Sequence, residues 1–104
     1  MIARSWSARA TAEGADAYFR FFEEKLAPAL AGIDGHRGAL VTGRPDGDGA
    51  VAISVTTFWD SMAAVSRFAG THPTRAVVEP EAEALLTSFD AEVRHATVRV
   101  DTRR

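Results

Sequence analysis

The chain has 104 residues, a length that suits one domain and leaves no room for a second hydrophobic core. It is 46% hydrophobic and 25% charged, which is typical of a folded protein and excludes a disordered or fibrous chain. The net charge of -2 gives no overall attraction to nucleic acid or an anionic membrane, and the absence of cysteine excludes disulfides and thiolate chemistry.

The amino terminus lacks the apolar run of a signal peptide, and no stretch approaches the ~18 apolar residues of a membrane span. We therefore expect residues 1–104 to form a single cytoplasmic domain without a membrane or nucleic-acid partner.

The first third of the chain predicts a strand followed by a long helix. Residues 2–9 contain a β-branched residue and an aromatic one, and they precede a helix start. Thr11 is placed to cap that helix. Apolar residues then recur at steps of three and four, which indicates one buried helical face. They are Ala15, Tyr18, Phe19, Phe22, Leu26, Ala29, Leu30 and Ile33. Phe21 lies off this stripe as a second contact surface, and Pro28 predicts a kink or an end.

The middle of the chain predicts a hairpin and a second helix. The segments "HRGALVTGR" and "AVAISVTTFW" flank "PDGDG", whose Asp-Gly pairs favour an antiparallel hairpin. Asp60 is a candidate cap for the helix that follows, and Gly70 is its predicted left-handed stop.

The last third predicts one or two helical turns in "EAEALLTSF" and a final strand in "AEVRHATVRV". Three nearby carboxylates, Glu79, Glu81 and Glu83, are interpreted as a solvated helix start. The order of elements is βαββαβ, the ferredoxin-like α+β arrangement, in which two helices cover one face of a four-stranded antiparallel sheet. A bare face that carries Val and Ile requires a partner, so we expect a homodimer that packs sheet on sheet.

Three stretches of the chain resemble the antibiotic biosynthesis monooxygenase-like family of the dimeric α/β-barrel superfamily. They are "MIARSW", "TTFWDSMAAVSRFAG" and "AVVEPEAEALLTSFDAEVRHATV", with the Trp-x-Ser junction at Trp59 and Ser61 the most specific piece. The resemblance implies a dimeric α/β barrel with a ligand cleft in each subunit. It also implies oxygenation of polycyclic aromatic substrates without metal, flavin or any other cofactor, and a sister branch binds and degrades heme.

The sequence departs from this family pattern in its polar residues. The quinone-forming and the heme-degrading enzymes both use a pocket asparagine, and this chain contains none. Aligned through the Trp-x-Ser junction, Phe68 and Val78 stand where heme degraders have a tryptophan and a histidine. Heme degradation by that mechanism is therefore not expected.

Two polar residues are the candidate catalytic groups. His95 lies on the last strand, which pairs with the first strand in this fold, so we expect it near Arg4 or Trp6. His95 is assigned as the base, because an imidazole titrates near neutral pH, and Arg4 as the group that stabilises the resulting anion. The alternatives are a histidine hydrogen-bonded across strands, and an arginine paired with Asp or Glu at the sheet edge.

Five aromatic residues are the candidate contacts with a flat substrate: Trp59, Trp6, Tyr18, Phe22 and Phe68. For Tyr18 and Phe22 the alternative is packing in the hydrophobic core, and for Trp59 it is a wedge between the second helix and the sheet. Three scattered histidines do not predict a metal site.

The function predicted from the sequence is a cofactor-independent monooxygenase that acts on a flat aromatic or polyketide-like molecule. The alternative is a non-catalytic binding or accessory protein on the same barrel.

Overall fold

The structure, a computed structural model, describes residues 1–103. Its strands are β1 (Ile2–Thr11), β2 (His36–Pro45), β3 (Ala50–Trp59), β4 (Ser88–Phe89) and β5 (Arg94–Thr97). Its helices are α1 (Ala12–Phe21), α2 (Ala27–Ala31), α3 (Met62–Ala69) and α4 (Pro80–Glu83), and a π-helical turn, Phe22–Leu26, joins α1 to α2. No described helix is long and apolar enough to cross a membrane.

The strands form one antiparallel sheet in the order β2-β3-β1-β4, with β5 also paired to β1. β1 and β3 pair over their whole length, from Ile2 opposite Trp59 to Thr11 opposite Ala50. This order, with the helices on one face, confirms the predicted ferredoxin-like α+β fold.

The last strand is shorter than predicted and is interrupted. Instead of one strand over 91–100, Phe89 of β4 pairs with Ala8 and His95 of β5 pairs with Arg4. The chain between them turns away from β1, because Glu92 forms a bridge with Arg75 of a preceding irregular segment. That segment, residues 71–79, contains only turns and irregular backbone apart from this bridge, and is called the 71–79 segment below.

The first helix continues past Pro28 because a π-helical turn precedes it. The Ala27 N–H donates to the Phe22 carbonyl, five residues back, which adds one residue to the turn where proline disturbs the α-helical pattern. The extra residue directs both Phe21 and Phe22 inward. Phe21 is therefore buried with the main stripe and is not a separate contact surface as predicted, while Ala29, predicted to face inward, is exposed.

The cap of α3 differs by one residue from the prediction. Ser61 is the N-cap, and its Oγ accepts a hydrogen bond from the Ala64 N–H at 3.2 Å. Asp60 instead accepts two hydrogen bonds from Arg37, at 2.6 and 2.9 Å. The predicted stop at Gly70 is confirmed, with φ of 74°.

The helices cover the face of the sheet that carries Ile53, Val55 and Trp59, all of which are buried. The expectation that the bare face carries Val and Ile was therefore wrong, because period-two alternation places the large residues of β3 under the helices. Small residues occupy the bare face instead, among them Ser5, Ser7, Ser54 and Thr56. Its one buried aromatic ring, Phe58, is covered by the Arg103 guanidinium, 3.7 Å from the ring centroid.

Candidate functional site

A cavity of about 60 Å³ lies between the inner face of the sheet and the helices. Its walls are mostly aliphatic and aromatic: Arg4, Trp6, Tyr18, Phe22, Leu26, Leu30, Val55, Thr57, Phe68, Val77, Val78, Glu79, Ala82 and Val93. This volume holds a few water molecules and is smaller than the ~300–1,000 Å³ of ordinary ligand pockets. A polycyclic ligand therefore requires one wall to move. The 71–79 segment is the wall without helix or strand.

Arg4 is the cation of the cavity wall. It is only 4% exposed, although it belongs to a residue type that is almost never buried without a partner. Its guanidinium donates to the carbonyls of Pro73 and of Arg75, the latter at 2.8 Å, and lies 5.8 Å from the Phe68 ring centroid. Burial lowers the pKa of Arg4. Within residues 1–103 no carboxylate pairs with it, so the predicted ion pair with Asp or Glu was wrong.

His95 contacts Arg4, as the predicted strand pairing requires. The two residues are opposite each other in β5 and β1, and Nη1 of Arg4 lies 3.0 Å from Nε2 of His95. Because a guanidinium only donates, Nε2 is the acceptor and the imidazole is neutral. Burial, and then the charge of Arg4, lowers the pKa of His95.

The position of His95 matches the cross-strand alternative. Its Nε2 lone pair is directed at Arg4, and the residue does not line the cavity. This geometry gives no support to His95 as a base that acts on a ligand in the cavity. It indicates that His95 orients the guanidinium of Arg4.

Trp59 packs in the core. It has no exposed surface, and its indole N–H donates to Thr57 Oγ1 at 2.8 Å. The ring stacks on Phe68, with ring centroids 5.7 Å apart, and meets His36 in a T-shaped contact, with ring centroids 4.9 Å apart. Trp59 does not line the cavity. This position matches the alternative of core packing, and the contact of Trp59 with a flat ligand stays a prediction; Phe68, on which Trp59 stacks, does line the cavity.

The four other predicted aromatic contacts all line the cavity. Arg4 and Trp6 are two residues apart on β1 and so share its inner face, while Tyr18 and Phe22 are one helical turn apart. The Trp6 and Tyr18 rings are 6.2 Å apart, and Tyr18 and Phe22 are 6.3 Å apart. Together with Phe68 these rings give the cavity flat apolar walls, and most of them are also part of the core.

Glu79 is a cavity residue that the sequence analysis assigned to a solvated helix start. It is half-buried and immediately precedes α4, but its side chain makes no capping hydrogen bond to that helix. Burial, and then the negative charge of Glu79, raises the pKa of Tyr18. The signal that could have located Glu79 is its neighbourhood, because the apolar pair Val77 and Val78 precedes it and also lines the cavity.

The fold is shared with solved structures of two bacterial proteins. A proposed antibiotic biosynthesis monooxygenase from Deinococcus radiodurans has 20% identity and a TM-score of 0.60, over 100% of this chain and 98% of that chain. The heme degrader MhuD from Mycobacterium tuberculosis, with two hemes bound in its active site, has 18% identity and a TM-score of 0.59, over 99% of this chain and 100% of that chain. No family model and no curated protein matches the sequence.

The cavity does not fit heme in the way that the heme-degrading branch uses it. Phe68 and Val78, which stand at the tryptophan and histidine positions of that branch, both line the cavity, and no histidine does. An apolar wall of this kind offers no imidazole as an axial ligand to iron. Within residues 1–103, moreover, no group of three or more His, Cys, Asp or Glu residues is arranged to hold a metal ion.

Proposed function

We propose that the protein is a cytoplasmic monooxygenase that oxidises a flat, ionisable aromatic or polyketide-like molecule in the cavity, without a cofactor. The observation that carries the proposal is Arg4, a buried guanidinium that has no carboxylate partner within residues 1–103 and lies on a wall of aromatic rings. The fold shared with the Deinococcus radiodurans protein agrees with this reading.

In this reaction the substrate supplies the electrons. Loss of a proton from a ring CH₂ or OH group gives an anion, which then reacts with oxygen. For a CH₂ group that becomes a carbonyl, one oxygen atom enters the product and the other leaves as water with the two substrate hydrogens. The protein orients the ring, excludes water and stabilises the anion.

Arg4 is suited to stabilise that anion. Its present partners are two backbone carbonyls and the neutral His95, none of which neutralises its charge. A charge-assisted hydrogen bond to an oxyanion is worth about 1.5–3 kcal/mol, more than a bond to a neutral acceptor. His95 fixes the guanidinium plane, and the aromatic rings hold the substrate beside it.

The proposed protein is a homodimer in which the helix-free faces of two sheets meet. That face offers small side chains for close contact, and Leu40 of β2, 49% exposed, adds apolar surface. Light scattering coupled to size-exclusion chromatography measures the mass, and a monomer at all concentrations contradicts this part of the proposal.

Oxygen uptake tests the reaction. Purified protein is offered a panel of anthrones and hydroquinones, with buffer and boiled protein as controls and with no added metal or flavin. We expect uptake above both controls and a loss of about 10²-fold in Arg4→Gln. Arg94→Gln is the matched control, because Arg94 is adjacent to His95 but exposed, and it should retain the wild-type rate. Arg4→Lys keeps the positive charge, and activity retained in this variant shows that the loss in Arg4→Gln does not come from a failure to fold.

A non-catalytic binding or accessory protein is the second candidate. The observation that favours it is the small volume of the cavity, about 60 Å³, together with the absence of histidine from its wall. Binding of panel compounds, measured by quenching of tryptophan fluorescence, without oxygen uptake for any of them supports this second function and refutes the first.

A further inference from the structure

We infer that Glu79 is the proton acceptor of the cavity and that the site selects a net-neutral weak acid, such as an enolisable ring ketone or a phenol. This inference rests on the proposed function and adds the residue that removes the proton. Among residues 1–103, Glu79 is the only acidic residue that lines the cavity.

The carboxylate of Glu79 is not used by the fold. No described Lys or Arg forms an ion pair with it, in contrast to Glu81 two residues later, which pairs with Lys25 at 3.1 Å. Glu79 occupies the N-cap position of α4, where a side-chain oxygen normally accepts a backbone N–H, yet it makes no such bond. A carboxylate that is half-buried on a cavity wall and has no other partner is available to a ligand.

The other groups on the wall cannot remove the proton. Arg4 carries no lone pair, the Tyr18 hydroxyl is held in its neutral form by burial and by Glu79, and Thr57 Oγ1 accepts the indole N–H of Trp59. No histidine lines the cavity, and the Nε2 of His95 is occupied by Arg4. Glu79 is the remaining base.

The charges of the wall select the ligand. With one cation, Arg4, and one anion, Glu79, the cavity is neutral overall, and so a net-neutral ligand enters without leaving an unpaired charge in an apolar site. A carboxylate ligand satisfies Arg4 but meets the like charge of Glu79. When a neutral weak acid reacts, its C–H or O–H bond breaks, the proton forms an O–H bond with Glu79, and the electron pair remains on the ligand as an enolate or phenolate beside Arg4.

Hydrogen exchange without oxygen tests this step separately from oxygenation. The probe is β-tetralone, a neutral enolisable ring ketone, incubated with the protein in anaerobic D₂O while its deuterium content is followed by mass spectrometry. We expect the wild type to accelerate exchange, and Glu79→Gln to lower the enzymatic rate by about 10²-fold or more while calorimetry shows that the probe still binds. Glu79→Asp, which keeps a carboxylate, should exchange faster than Glu79→Gln.

Glu83→Gln is the matched control, because Glu83 is an exposed residue of α4 outside the cavity, and it should exchange at the wild-type rate. Exchange at the wild-type rate in Glu79→Gln, or no acceleration by the wild type, overturns the inference. Exchange without oxygen uptake by the anthrone panel refutes the monooxygenase and leaves Glu79 as a base. Oxygen uptake that is unchanged in Glu79→Gln supports the monooxygenase and refutes Glu79 as the base.

Discussion

Replacement of Thr57 by valine tests whether Trp59 is a core residue held by one hydrogen bond. Thr57 is buried, and its Oγ1 is the acceptor for the Trp59 indole N–H at 2.8 Å. Valine has nearly the same shape but accepts no hydrogen bond, so the indole N–H stays buried and unpaired. An unsatisfied buried donor costs about 1–3 kcal/mol, and we expect the free energy of unfolding to fall by about 2 kcal/mol.

Urea unfolding measures this change. A small domain loses about 1–3 kcal/mol of stability per molar urea, so the midpoint of Thr57→Val should fall by about 1 M. Thr56→Val is the matched control. Thr56 is the neighbouring residue on the bare face, is half-buried and makes no side-chain hydrogen bond within the described residues, and its replacement should change stability by less than about 0.5 kcal/mol.

A double-mutant cycle separates the hydrogen bond from other effects. In a Trp59→Phe background no N–H is present, so Thr57→Val should cost almost nothing there, which gives a coupling energy of about 1 kcal/mol or more. The reasoning is refuted by a Thr57→Val cost as small as that of Thr56→Val, or by an equal cost in both backgrounds.

Two further predictions concern His95 and Gly35. The folded-state pKa of His95 lies below the ordinary value of 6.5. Its contribution to stability is therefore present above about pH 6.5 and is lost as the pH falls through the folded-state pKa. His95→Gln should make the urea midpoint less dependent on pH between about pH 7.5 and 5, and an unchanged pH dependence contradicts this. Gly35 has φ of 90°, and a Cβ added to it would lie 2.5 Å from the Ala64 Cβ, so Gly35→Ala should lower stability by about 2 kcal/mol or more in thermal unfolding. Gly32→Ala should not, because Gly32 has φ of -81° and a Cβ added to it would be in ordinary contact with the Ala29 carbonyl oxygen, at 3.5 Å.

The sequence was sufficient for the fold because its patterns are local and consistent with one another. Period-two alternation in β1 and β3, the Asp-Gly hairpin and the helix stripe together fix the type and order of the elements, although the bulky face of β3 was expected on the wrong side of the sheet. The strand order alone placed His95 near Arg4 or Trp6, and the register of the two strands decides for Arg4. The break in the last strand was missed, because it depends on the bridge between Arg75 and Glu92, which are 17 positions apart.

The site was only partly predictable. The cavity-lining aromatics Trp6, Tyr18 and Phe22 could be found from the faces of their elements. Glu79 was missed, because the pattern of "EPEAEA" by itself is the same for a solvated helix start and for one carboxylate directed at a cavity. Trp59 could be assigned only when the position of Phe68 was known, since a ring at the end of β3 contacts a ligand or the core according to what lies in front of it.

Arg4 links the opening of the cavity to the charge of the ligand. Its guanidinium donates to the carbonyls of Pro73 and Arg75 in the 71–79 segment, whose residues Val77, Val78 and Glu79 form part of the cavity wall. Movement of that segment removes both carbonyl acceptors and leaves a buried cation with donors to satisfy, a costly state in an apolar site. An oxyanion formed on the ligand replaces the lost acceptors, whereas a hydrocarbon of equal size does not. Under the proposed function, the hydrogen bonds between Arg4 and this segment would therefore favour ligands that ionise inside the cavity.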